Sequence, residues 1–230
     1  MPKPALIYAW TVIAIGAVLA IGSALLWQTT NAQAFWLCLG LASLASTFKV
    51  KLPGFESIVS PSFVFHLVAI AQLTGQETVA IAIASTLVQS LWKRQTKGTY
   101  IQVAFNVSTL AISNAVAYAM AHSTTGVSST VEQVLTLGIA GIVLMVVNTM
   151  MVSVVLCLLQ DKPVHSAWRA IQFWTLPYYL AGGILATIWL PIMTRPGFSI
   201  ALLSACSVYL LSVCYREAVE RFNVPAMARG

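Results

Sequence analysis

The chain has 230 residues, of which 59% are hydrophobic and 8% charged, with a formal net charge of +6. Soluble domains carry about 25% charged residues, so this composition excludes an ordinary water-soluble domain. The basic excess reads as contact with anionic headgroups and not with nucleic acid, because no basic, aromatic-interleaved soluble face exists.

Apolar windows of about 18 residues or more, without the alternating pattern of a membrane barrel, predict an all-α polytopic bundle in a bilayer. The first span is Ala5 to Trp27. Lys3, this run and the tripeptide Ala32-Gln33-Ala34 imitate a cleaved signal peptide. A signal's apolar core is only about 7–15 residues, so a retained helix is expected instead. Ala34 to Phe48 is a shorter second span, followed by the turn KVKLPG, bent at Pro53-Gly54. Ile58 to Leu73 and Thr78 to Trp92 are short third and fourth spans. Tyr100 to Ala121 and Val131 to Leu159 are long, and Phe173 to Met193 and Phe198 to Tyr215 close the series.

Lys and Arg favour cytoplasmic loops, which tests this count. Eight crossings gather Lys3, Lys49, Lys51, Lys93, Arg94, Lys97, Lys162, Arg169, Arg216, Arg221 and Arg229 on one side and leave only Arg195 on the other. Omitting the third crossing inverts every later loop. The expectation is therefore about eight transmembrane helices with both termini cytoplasmic, in a bacterial inner membrane. Residues 1–215 form one membrane domain and residues 216–230 a short cytoplasmic tail. A span of about 15 residues covers only ~22 Å, less than the ~30 Å hydrocarbon core. The short spans thus need protein around their ends, or they are broken helices bordering a cavity.

Polar residues inside the spans mark a candidate seam. Gln102, Asn106, Thr109 and Ser113 share a face of the fifth span, with Asn114 beside them and Ala111, Ala115 and Ala119 on a neighbouring small-residue stripe. The fourth span offers Ser85, Thr86 and Gln89, the sixth Gly138, Gly141, Asn148 and Ser153, and the seventh Gly182-Gly183. Gln89, Gln102, Asn106, Ser113, Asn114 and Asn148 are the candidate ligand-binding residues; interhelical hydrogen bonding without a ligand is the competing reading. His66, inside the third span, joins them as a ligand group, a proton relay or a tetrapyrrole's axial ligand, against the reading of a satisfied neutral histidine. Glu56 and Glu77 read as edge charges within reach of headgroups.

Enzyme chemistry finds no footing. No His/Glu set has metal-ligand spacing, no Gly-rich loop opens a helix after a strand, and Cys38, Cys157, Cys206 and Cys214 contain no C-x-x-C pair. The cysteines read as small apolar residues, and Trp10, Trp27, Trp92, Trp168, Trp174 and Trp189 as an interfacial belt. Nothing points to a particular cofactor.

The run LPGFESIVSPSFVFHLVAIAQLTGQETVAIAIASTLVQSLWKR, followed by IQVAFNVSTLAISNAVAYAMA, resembles the multi-helix membrane sensor regions at the N-terminus of bacterial HD-GYP phosphodiesterases and diguanylate cyclases. The similarity covers about Lys51 to Ala121 and singles out Pro53, Gly54, Pro61, Phe65, Gly75, Glu77, Phe105 and Asn106. It implies a structural role for these positions, with ligand sensing as a second role. Where such sensors continue through an amphipathic helix into a cytoplasmic output domain, REAVERF begins such a helix here and the sequence ends at NVPAMARG.

The expectation is a non-enzymatic sensing or ligand-binding module acting through partner proteins, either in the membrane or as a cytoplasmic output protein. The bound species would be a small molecule or a lipid. A structural accessory subunit of a larger, pigment-containing energy-converting complex is one alternative, and a small-solute transporter component is another. In the sensing reading, helix packing shifts around the third to sixth spans and passes through the eighth to residues 216–222.

Overall fold

The computed structural model describes residues 1–29, 31–51, 58–92, 99–124, 129–160, 163–193 and 198–227. They form eight helices: α1 (Lys3–Leu25), α2 (Ala32–Ala45), α3 (Phe63–Gln72), α4 (Gly75–Leu91), α5 (Tyr100–Thr124), α6 (Thr130–Gln160), α7 (Val164–Met193) and α8 (Phe198–Met227). Between α2 and α3 lies a two-residue antiparallel pairing of β1 (Val50–Lys51) with β2 (Ile58–Val59), in which Val50 faces Val59 and Lys51 faces Ile58. The Pro53-Gly54 bend, Glu56, Lys93, Arg94, Lys97, Lys162, Arg195 and Arg229 lie outside the described residues.

Five helices, α1, α5, α6, α7 and α8, are long and apolar enough to cross a membrane; α2 and α3 are shorter apolar helices. The third run departs from a continuous span. Its first residues are extended in β2, and helix begins only at Phe63, after Pro61 and Ser62. Pro61, which lacks an N–H to donate, stands two residues before the first helical residue, a position where a proline costs the helix no hydrogen bond. The resulting ten residues of α3 rise about 15 Å, half the thickness of the hydrocarbon core.

α3 occupies the centre. Every residue from Phe63 to Ala71 is buried, as expected of a helix apolar all round. It packs against α2, α4, α5, α6 and α7. α2 turns one stripe inward, Phe35, Cys38, Leu41, Ala42 and Ala45, at the three-and-four spacing of a helix face. Its N-terminus is capped by Asn31, whose side chain accepts from the Ala34 N–H at 3.1 Å.

α1 buries Ala5, Ala9, Val12 and Gly16. At Gly16 an added Cβ would collide with Ser108 of α5. The close approach to α5 thus comes from the Gly16–Ser108 pair. Along the anticipated alanine stripe, Ala111 is buried, Ala115 half-buried and Ala119 exposed. α7 begins nine residues before the apolar run that announces it, and α8 continues past Tyr215 to Met227 without a break.

Candidate functional site

The centre of the bundle holds a three-helix polar knot. His66 of α3 is fully buried. Its Nδ1 lies 3.1 Å from Asn114 Oδ1 on α5, and its Nε2 lies 3.1 Å from Ser85 Oγ on α4. The Asn114 amide nitrogen donates to the Leu110 carbonyl at 2.9 Å, so Asn114 Oδ1 is an acceptor and His66 Nδ1 carries the ring proton. Nε2 then accepts from the Ser85 hydroxyl; this proton assignment follows from the network. The Ala82 carbonyl, which receives the Thr86 hydroxyl at 2.7 Å, lies 3.2 Å from Ser85 Oγ as a second acceptor. The bonding is complete with a neutral imidazole. Coordination of an iron or another metal by His66 would require breaking one of these two bonds.

A second knot closes the end where α1, α2 and α4 meet. Thr74 and Glu77 form a capping box at the start of α4: Glu77 N–H donates to Thr74 Oγ1 at 3.3 Å, and Thr74 N–H donates to Glu77 Oε2 at 2.9 Å. The Thr29 hydroxyl, from the segment after α1, donates to Glu77 Oε1. Thr74 Oγ1 stands 3.0 Å from the Gln28 carbonyl. Glu77 has no exposed surface, so it is a buried structural carboxylate and not an edge charge. Its donors and the positive end of the α4 dipole offset the cost of burial.

An aromatic stack leads from the centre to α8. Phe63 packs against Tyr178 and Tyr179 of α7, with ring centroids 5.1 and 4.5 Å away, and Tyr178 against Tyr215 of α8 at 4.4 Å. The Tyr215 hydroxyl donates to the Trp174 carbonyl. Gly182 makes the stack possible, since a Cβ there would overlap the Phe63 ring. Gln72 adds a tie from α3 to α7, donating at 2.7 Å to the Leu190 carbonyl, one of the end carbonyls a helix leaves without an internal partner.

The seam anticipated from the sequence is therefore distributed. His66 and Asn114 meet at the centre, and Ser113 is buried beside them, donating to the Thr109 carbonyl at 2.7 Å. Gln89 is half-buried far along α4, its Oε1 3.3 Å from Ser60 Oγ, which contacts Ser62 Oγ at 2.8 Å. Gln102 is exposed and caps α5, accepting from the Thr99 N–H at 2.9 Å. Asn106 is exposed. Asn148 is half-buried on α6.

The face shared by Gln102, Asn106 and Ser113 is real, but α5 has different neighbours at successive turns, so the first two open outward and the third is covered. Ser85, Thr74 and the Phe63–Tyr178–Tyr215 stack complete the arrangement. The T-x-x-E signature of Thr74 and Glu77 was the available signal for the capping box; the pairing with Thr29 had none.

The MASE9 model, that of a membrane-associated sensory domain family, matches residues 34–191, more than half of the chain. The match begins in α2 and ends in α7, enclosing the His66 knot and the Thr74–Glu77 capping box but not Gln28 and Thr29. No curated protein and no solved structure matches.

Proposed function

Since the chain belongs to MASE9, a membrane-associated sensory domain family, we propose that it is a non-enzymatic sensing or ligand-binding module of a bacterial inner membrane that acts through partner proteins. The observation that carries this reading is α3. A helix buried on all sides is tied to α4 and α5 through the two nitrogens of His66 and to α7 through Phe63. A change of packing against α3 therefore bears on these three helices at once. Tyr178 and Tyr215 extend that contact to α8, whose 30 residues rise about 45 Å, longer than the hydrocarbon core. Packed helices with two arrangements are the standard means of passing such a bias.

The same reading takes the eight helices as eight crossings with both termini cytoplasmic, supported by the one-sided distribution of Lys and Arg. α2, α3 and α4 would cross with their ends in protein. It also takes the output partner to be a signalling enzyme of the HD-GYP or diguanylate cyclase kind, on the resemblance of residues 51–121.

The test is purification of the tagged native protein in mild detergent, with mass spectrometry of co-purifying proteins and small molecules and an absorption spectrum. A signalling enzyme in stoichiometric amount, lost when residues 216–230 are deleted from an otherwise folded chain, is the expected result. Stoichiometric pigment or respiratory subunits would replace this reading with that of an accessory subunit. A transported solute and an energising partner would make it a transporter component.

A further inference from the structure

α5 carries two asparagines within its span, and the bundle treats them differently. Asn114 is buried with both ends of its carboxamide engaged, Oδ1 with His66 and the nitrogen with the Leu110 carbonyl. Asn106 is exposed, and its carboxamide has no partner among the described residues, not even the Gln102 carbonyl four residues earlier. The span Tyr100–Ser123 has 24 residues and rises about 36 Å, so it overhangs the ~30 Å hydrocarbon by ~3 Å at each end when centred. Asn106, ~9 Å from the start of the helix, then lies ~6 Å inside the hydrocarbon. An amide without a partner is costly at that depth, and lipid tails offer none.

We propose that the N-terminal half of α5 is the contact face of a parallel homodimer, in which the Asn106 carboxamides of two copies bond to each other. The commitment to a second copy comes from the geometry of a bilayer. The charge bias of the loops gives every copy the same orientation, so a two-fold axis relating two copies runs along the membrane normal. Each residue on that axis meets its own counterpart at its own depth. A carboxamide complements itself there, since each nitrogen donates to the other's oxygen. A different partner would need a matching polar group at this depth, whereas a second copy supplies one by symmetry. Val103 and Leu110, three residues before Asn106 and four after, are half-buried on the same face and supply the apolar contact around the pair. No Asp, Glu, Lys or Arg stands on α5, so bringing it against its copy opposes no like charges. One turn beyond Leu110 the face closes, because Ser113 and Asn114 are buried; the two helices therefore meet over this half only and diverge beyond it. The pairing goes beyond the sensing reading and holds whatever is sensed.

The experiment uses the full chain with Cys38, Cys157, Cys206 and Cys214 replaced by alanine. In native membrane vesicles Asn106→Cys is oxidised with copper phenanthroline, two differently tagged forms being co-expressed, with Ile15→Cys on the outer face of α1 as the lipid-facing reference. The expected product is a disulfide-linked species of twice the chain's mass that carries both tags, formed by Asn106→Cys and not by Ile15→Cys. With Asn106 intact, Gln160→Cys at the end of α6 carries a donor or an acceptor dye, and energy transfer in liposomes at a series of protein-to-lipid ratios gives the dimerisation constant. Asn106→Leu should lower that constant about 3- to 30-fold, the range that interhelical hydrogen bonds span in bilayers. Asn106→Gln, which keeps the amide, should retain more of it than Asn106→Leu. Because Asn106 bonds to nothing within the chain, both variants should unfold at the parent's midpoint. Cross-linking only to another polypeptide, or none at all, overturns the proposal. So does energy transfer no greater than random mixing gives, or a dimerisation constant that Asn106→Leu leaves unmoved. None of these failures touches the sensing reading, whose test is the output partner.

Discussion

α1 and α3 are both apolar helices, yet they face opposite solvents. α1 buries a stripe of small residues against α5 and exposes Ile7, Val18, Ile21 and Leu25, a surface that lipid can cover. α3 exposes nothing from Phe63 to Ala71 and carries the one buried imidazole. A helix facing lipid on most sides needs length and hydrocarbon; a helix surrounded by protein can be short because its end groups are satisfied by neighbours. Around α3 the neighbouring ends are closed in this way: Gln72 donates to an end carbonyl of α7, and Thr74 caps α4. Substitution should therefore be costly on α3 and its contacts and cheap on the outer face of α1.

The largest effect is expected at His66. His66→Leu fills a similar volume but strands the Asn114 side-chain carbonyl in the core, at about 1–3 kcal/mol, and leaves the Ser85 hydroxyl only the Ala82 carbonyl at 3.2 Å. The thermal midpoint in detergent should fall accordingly. Combining it with Asn114→Leu and Ser85→Ala, which removes both groups, should restore part of the loss. A single variant as stable as the parent would mean that the knot contributes nothing to holding α3 in place.

Gly182 comes next. Gly182→Ala pushes a methyl into the Phe63 ring, which is held between Tyr178 and Tyr179 and has little room to retreat. Overpacking of this kind costs about 1–3 kcal/mol. A Phe63→Leu partner substitution should relieve it, giving a favourable coupling in a double-mutant cycle. Additivity of the two changes would show that the ring moves freely and that the stack toward α8 is loose.

Glu77 tests the same contrast at the end of the bundle. Glu77→Ala removes the acceptor of the Thr74 N–H and of the Thr29 hydroxyl, and loss of a cap costs about 0.5–2 kcal/mol. Glu77→Gln keeps a side-chain acceptor at the third position of the capping box and should recover most of that. Unfolding midpoints of the two variants, compared in one detergent, separate the cap from the charge. Equal losses would mean that the charge, and not the hydrogen bonding, holds the segment after α1.

Much of this contrast was legible in the sequence, and the remainder shows why some was not. Apolar runs announced all eight helices because a span and a buried helix both require continuous hydrocarbon. The brevity of α3 was visible in Pro61 and in the polar stretch before it. Its central position was not, because one-dimensional hydropathy does not distinguish lipid from protein as the apolar surrounding. The row of Gln102, Asn106 and Ser113 was readable as one face, but whether a turn is covered depends on neighbours far away in sequence. Glu77 was misread because a carboxylate next to a span normally meets headgroups. Here its partner Thr29 lies 48 residues away, beyond any local signal. The early start of α7 was hidden because an amphipathic end breaks an apolar run without breaking a helix, whereas the helix past Tyr215 was readable in REAVERF.

The smallest effect should come from α1, and it tests the contrast most directly. Ile21 is 60% exposed on α1, and in a bilayer that surface meets lipid tails about as apolar as the side chain itself. Ile21→Ala creates no cavity, because lipid closes over the site, so the cost should stay within about 0.5 kcal/mol in lipid nanodiscs, the range typical of surface changes. Gly16→Ala, five residues earlier on the same helix, adds a single carbon against Ser108 and should cost more than the removal of three carbons at Ile21. The usual rule for cores, that large-to-small changes are the damaging ones, is thus inverted along one helix, since only the Gly16 side has a rigid neighbour. If Ile21→Ala proved the more damaging of the two, the outer face of α1 would be packed against protein and not lipid, and a partner subunit would have to be sought there.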